Sequence, residues 1–166
     1  MDILTFALEK EEKAEALYRE LAEKAEGGIK HILIMLADEE VHHIELIQKI
    51  QQQTDATLTS PTTLKEATAL FTKMKEAGNA MEVGNISQLE LYEKARQIEL
   101  DSRDYYAAKS KEVKSEQEKE LLITLSKEEQ KHYVLMDNLC QLLQHPQTFL
   151  ADAEFTHLED DANEPF

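Results

Sequence analysis

Apolar residues recur every three or four positions over most of the chain, the spacing of helices that each bury one face. From Ile3 to Ala25 the inward positions are Leu4, Leu8, Glu11, Ala14, Tyr18, Leu21 and Ala25. Gly27-Gly28 offers left-handed positions that end this helix and turn the chain. A second helix is predicted from Ile29 to Gln52, with Leu33, Leu36, Glu40, His43, Ile47 and Ile50 on its inner face. So short a turn makes the two antiparallel neighbours. A third helix opens at a Ser87–Glu90 capping box and turns Tyr92, Ala95, Glu99, Ser102 and Tyr106 inward. After a turn near Lys114, Ser115 with Glu118 caps a fourth, whose face is Leu122, Leu125, Glu129, His132, Met136, Leu139 and Leu143. It ends by His145-Pro146, since proline cannot continue a helix.

The stretch from Thr54 to Ile86 is too long for a tight turn and has the length of a crossover running along a bundle. Within it, after Ser60-Pro61, a Thr63–Glu66 capping box precedes a short helix striped by Leu64, Ala67, Phe71 and Met74 and closed by Gly78. The pattern therefore predicts an all-α four-helix bundle over residues 1–146 with a long crossover between its second and third helices. Residues 147–166 form an acidic tail, whose Phe149, Leu150, Phe155 and Leu158 can pack on the bundle or on a second subunit and whose last residues fray.

Composition narrows the function. The 166 residues suit one domain, and only 4 Gly and 3 Pro favour helix over turn-rich folds. A net charge of −16 opposes binding to nucleic acid and to anionic membrane, both of which demand a basic surface. Cys140 is the single cysteine, so neither an internal disulfide nor a Cys-x-x-Cys metal site exists; its apolar neighbours predict a buried structural thiol. No signal peptide or bilayer-spanning run is legible, and cytoplasmic residence is the expectation.

The polar residues on the inner faces form a repeat. Glu40-Val41-His42-His43 matches Glu129-Gln130-Lys131-His132, and Glu11, Ala14 and Tyr18 match Glu99, Ser102 and Tyr106. Glu99 follows Glu11 by 88 positions, and His132 follows His43 by 89. Residues three apart share a helix face, so each Glu-x-x-His presents a carboxylate and an imidazole together. Brought to one depth, the faces would collect four carboxylates and two imidazoles. Four carboxylates cannot all ionise in an apolar core without counter-charge. Two divalent cations would neutralise them, and mixed carboxylate–imidazole ligation suits iron, or manganese, better than the soft metals. Glu40 and Glu129 are the natural bridges between two ions, and redox-active iron so held could reduce dioxygen or peroxide.

One Glu from each of two helices, with Glu-x-x-His from each of the other two, is the pattern of ferritin-like di-iron bundles. Over roughly residues 3 to 145 the chain resembles the rubrerythrin di-iron domain of that superfamily. The resemblance implies a non-haem di-iron centre, redox chemistry with peroxide or dioxygen, and a homodimer or larger assembly. Typical rubrerythrins add a cysteine-bearing rubredoxin module. With one cysteine the chain lacks it, and the electron donor is expected to be a separate protein such as a rubredoxin. Rubrerythrins also place an extra carboxylate three residues beyond the third-helix Glu, where this chain has Ser102. A ferroxidase or other iron-handling role stands beside the peroxidase reading, as does a non-enzymatic helical module whose acidic tail binds a basic partner.

Glu39 and His42 compete as a pair one residue out of register, but the repeat favours Glu40 with His43, leaving His42 as a flanking or surface residue. Tyr18 and Tyr106 can hydrogen-bond ligand carboxylates, shield the site from radicals, or pack as core aromatics. His31, His145 and His157 lack any partner pattern and are expected at the surface.

Overall fold

A computed structural model of the chain describes residues 1–54, 56–57, 62–77 and 86–152. Six α-helices run through the described residues: α1 (Ile3–Glu23), α2 (Gly27–Gln51), α3 (Thr63–Ala77), α4 (Leu89–Lys109), α5 (Glu116–Gln144) and α6 (Pro146–Asp152). The expected closure of α3 at Gly78, the Ser60-Pro61 turn, and Phe155, His157 and Leu158 lie outside the described residues.

Helix ends follow local chemistry, with adjustments to the sequence reading. Asp2 caps α1 by accepting from the Thr5 amide at 2.9 Å, and Ser115 caps α5 by accepting from the Glu118 amide. The α1–α2 turn keeps its expected length but falls two residues earlier: α1 stops at Glu23 and α2 already begins at Gly27. Of the two glycines only Gly27 is left-handed, at φ 59°, a conformation that costs a side-chain-bearing residue about 1–2 kcal/mol. A short 3-10 turn, Ile86–Gln88, occupies the expected Ser87 start of the third long helix, whose cap falls on Gln88 without a side-chain bond. The Thr63–Glu66 box is also displaced. Thr62 receives the Glu66 amide on its carbonyl, while the Thr63 hydroxyl is engaged elsewhere.

The directions of the long helices follow from cross-bundle contacts. Tyr18 of α1 meets Glu99 of α4, and Glu11 of α1 meets Tyr106 of α4, so these helices run in opposite senses. His132 of α5 meets Glu40 of α2, and Glu129 meets His43, so α2 and α5 are antiparallel too. Since α1 is also antiparallel to α2, helices α2 and α4 are parallel, and the chain between them must return the length of the bundle. Helix α3 makes that return. Its first residue touches Glu39 in mid-α2, and its Leu70 packs against Gly28 at the start of α2. Its stripe of Leu64, Ala67, Phe71 and Met74 is buried, and Phe71 meets Phe149 of α6 edge-on at 6.1 Å. Phe149 thus packs on the bundle.

The core has three layers. An apolar cluster at one end holds Leu21, Ile32, Leu33, Leu36, Tyr92 and Leu139 among others; a second at the opposite end holds Leu4, Ile47, Leu121, Leu122 and Leu125. Between them every inward position of the sequence pattern turns polar. Cys140 lies in the first cluster, where burial pushes its thiol up to about 11 and keeps it inert. No helix among the described residues is long and apolar enough to cross a membrane.

Candidate metal centre

Glu11, Glu40, His43, Glu99, Glu129 and His132 converge in the polar layer, each with at most 3% of its surface exposed. They form two overlapping sets whose ligating atoms lie within 4.8 Å of one another: Glu11, Glu40, His43 and Glu129, and Glu40, Glu99, Glu129 and His132. Glu40 and Glu129 belong to both, as expected of bridging residues. The imidazoles stack, with ring centres 5.6 Å apart and planes inclined by 19°.

Both histidines present Nδ1 to the cluster. Nδ1 of His43 is 2.9 Å from Glu11 Oε2, 3.2 Å from Glu129 Oε1 and 3.4 Å from Glu40 Oε2. Nδ1 of His132 is 2.8 Å from Glu40 Oε1, 3.4 Å from Glu129 Oε2 and 3.7 Å from Glu99 Oε2. Yet His132 Nδ1, both oxygens of Glu40, Glu99 Oε2 and Glu129 Oε1 are buried with no aligned hydrogen-bond partner. An orphaned buried acceptor costs about 1–3 kcal/mol, so five in one layer need a physical reason. Lone pairs of mixed oxygen and nitrogen type, aimed at common points rather than at hydrogens, are the donor set that divalent first-row cations take. The residues fit such ions.

The tyrosines of the repeat are fully buried and bond across it. Tyr18 donates its hydroxyl to Glu99 Oε1, and Tyr106 donates to Glu11 Oε1. Each terminal carboxylate therefore has one oxygen held by a phenol from the other half and its second oxygen facing the cluster. Burial, and then the charge of the adjacent glutamate, push both phenols well above their usual range, so they stay protonated donors. Of the readings the sequence left open for them, the structure supplies both hydrogen bonding and packing.

Proton affinities follow from crowding like charges in a dry layer. Burial pushes Glu40 up, reinforced by the charges of Glu11 and Glu99, to about 8. Burial, and next the charge of Glu129, hold Glu99 well above the carboxylate range. Burial also opposes ionisation of Glu11, but the hydrogen bond from His43 outweighs it with help from Glu40 and Tyr106, leaving that carboxyl at about 2. For both imidazoles burial acts to lower proton affinity; the surrounding carboxylates overcome it and raise both well above their usual value.

Sequence reasoning missed Glu39. Read as part of a competing pair, it instead faces the far side of His132: Nε2 of His132 contacts Glu39 Oε2, and the Thr63 hydroxyl donates to Glu39 Oε1. The repeated doublet, Glu39-Glu40 matching Glu128-Glu129, gives no signal of this contact, since Glu128 pairs with Lys131 instead. His42 is half-buried beside the site, His31 is exposed 3.7 Å from Glu66, and His145 is exposed.

An antiparallel four-helix bundle with a long crossover and a central layer of carboxylates and imidazoles defines a ferritin-like protein. The chain belongs to the rubrerythrin family, whose model, Rubrerythrin, matches residues 2–140. No curated protein and no solved structure matches it.

Proposed function

We propose that the polar layer holds two iron ions and that the protein is an oxidoreductase reducing hydrogen peroxide or dioxygen. The observation that carries this reading is the five orphaned donor atoms among four carboxylates and two imidazoles, sealed between two apolar layers. Glu11 and His43 would hold one ion and Glu99 and His132 the other, with Glu40 and Glu129, common to both sets, shared between them; manganese is the alternative metal. When bound, Fe(II) supplies the two electrons that, with two protons, convert hydrogen peroxide to two waters as two Fe(III) form. The chain supplies the rest. Its apolar layers exclude bulk water, which strengthens every charge interaction inside. Tyr18 and Tyr106 hold Glu99 and Glu11 in place through their hydroxyls. An electron donor from a separate protein, cytoplasmic residence and a homodimeric or larger assembly complete the reading.

Ferroxidase or iron-handling activity is the second reading, and one observation favours it. Ser102, buried on the inner face of α4 three residues beyond Glu99, brings no further carboxylate, just as Ala14 brings none beyond Glu11. The two halves thus offer equal ligand sets. To separate the readings, anaerobically reduced, iron-loaded protein is mixed with hydrogen peroxide and, separately, with air. Iron oxidation much faster with peroxide supports the peroxidase; the reverse order favours the ferroxidase. Protein purified anaerobically that takes up no Fe(II) while fully folded overturns both and leaves a helical interaction module.

A further inference from the structure

We propose that Glu39, held by Thr63 of the crossover helix, is a positioning residue that fixes the imidazole of His132 with Nδ1 toward the cluster. The proposal rests on the metal-binding reading above and adds what sets the orientation of one of its ligands. An imidazole that binds an ion through one nitrogen is held in tautomer and orientation by an acceptor for the hydrogen on the other. For His132 that acceptor is Glu39 Oε2 at Nε2, while Nδ1 looks into the cluster at Glu40 and Glu129.

Glu39 is itself fixed. Its second oxygen takes the hydroxyl hydrogen of Thr63, the first residue of α3. A small cleft beside this chain of contacts is bounded by Leu64, Lys131 and Leu135. The crossover therefore does more than return the chain: its first turn braces a ligand through one intermediate carboxylate.

The brace is one-sided. Glu128 occupies the matching position in the second half, but it pairs with Lys131 at 3.2 Å, and its other oxygen is buried without a hydrogen-bond partner. Two ligand sets that look equivalent in sequence therefore differ in their supports. Loss of Glu39 is expected to weaken one of two ions.

The test is anaerobic Co(II) titration of the full metal-free chain, read by visible ligand-field absorption, with far-UV circular dichroism to monitor folding. Wild type is expected to take two equivalents. Glu39→Ala should keep one and lose about 10–100-fold in affinity for the other, with altered ligand-field bands. Glu39→Gln retains an acceptor for Nε2–H and should lose only a few-fold. Thr63→Val should shift the same equivalent by less in the wild-type background and not at all in Glu39→Ala. Glu128→Ala should leave both equivalents unchanged. Glu39→Ala binding both equivalents with wild-type affinity and spectrum overturns the proposal. If Glu39→Ala does not fold, an unchanged affinity and spectrum in Glu39→Gln overturns it. Wild-type protein that binds no Co(II) refutes the metal-binding reading itself, whereas a wild-type-like Glu39→Ala refutes only the positioning role.

Discussion

Loading the metal-free protein with two divalent ions near pH 7 is expected to expel protons, the one on Glu40 among them. Glu40, Glu99, His43 and His132 all bind protons more tightly in the folded chain than in free solution, and Glu40, at about 8, keeps most of one at neutral pH. Glu11, at about 2, has none to give. Two ions bring four positive charges, and each departing proton offsets one of them in the buried layer. That balance matters, because like charges about 4 Å apart repel by roughly 4 kcal/mol at an effective dielectric constant near 20. The pH dependence has a definite sign. A carboxyl whose folded value is raised stabilises the fold most below its unfolded value and loses that contribution as pH rises through the folded one. For Glu40 the window runs from 4.5 to about 8. At up to about 1.4 kcal/mol per pH unit per proton, with the slope halving as pH reaches the folded value, metal-free protein should lose roughly 2 kcal/mol between pH 6 and pH 8 from Glu40 alone. Metal-loaded protein should show little of this slope, and proton release should decline above pH 8. Titration calorimetry with Mn(II) under anaerobic conditions, repeated in buffers of different ionisation enthalpy, counts the protons directly. Binding of a pair of ions with no proton release would refute the charge-balance argument.

Further perturbations address the supports of the site. Glu129→Ala should end paired binding, reducing Co(II) uptake to one equivalent or less while helical circular dichroism persists; two tightly bound equivalents would contradict its bridging role. Tyr106→Phe removes the donor to Glu11 and should cost about 1–3 kcal/mol in urea unfolding of the metal-free chain. Phe71→Ala empties the contact between the crossover, α6 and the core, and should cost about 3–5 kcal/mol by the same measurement.

Periodicity carried most of the fold because each long helix has one buried stripe, and that stripe is written at steps of three and four. Tyr92, Ala95, Glu99, Ser102 and Tyr106 were all legible as the inner face of α4, and all are buried. The six converging residues were legible for a second reason: the chain states them twice, and a repeat makes accidental Glu-x-x-His spacing improbable. Glu39 escaped because it lies about 100° around α2 from Glu40, where the pattern reads as an outer face. Its partner Thr63 arrives on the crossover, and no spacing within one helix records where another segment comes to rest. The Thr-x-x-Glu signature of a capping box then concealed Thr63, whose hydroxyl serves a different carboxylate. The α1–α2 turn fell two residues earlier than expected because two adjacent glycines do not say which one turns left-handed; Gly27 does.

The most direct test of the central claim is anomalous X-ray scattering from crystals of the protein loaded anaerobically with Fe(II) and measured at the iron edge. Two peaks, one within the Glu11–Glu40–His43–Glu129 set and one within the Glu40–Glu99–Glu129–His132 set, are the predicted result. An empty polar layer, with iron only on exposed surface carboxylates, would contradict it.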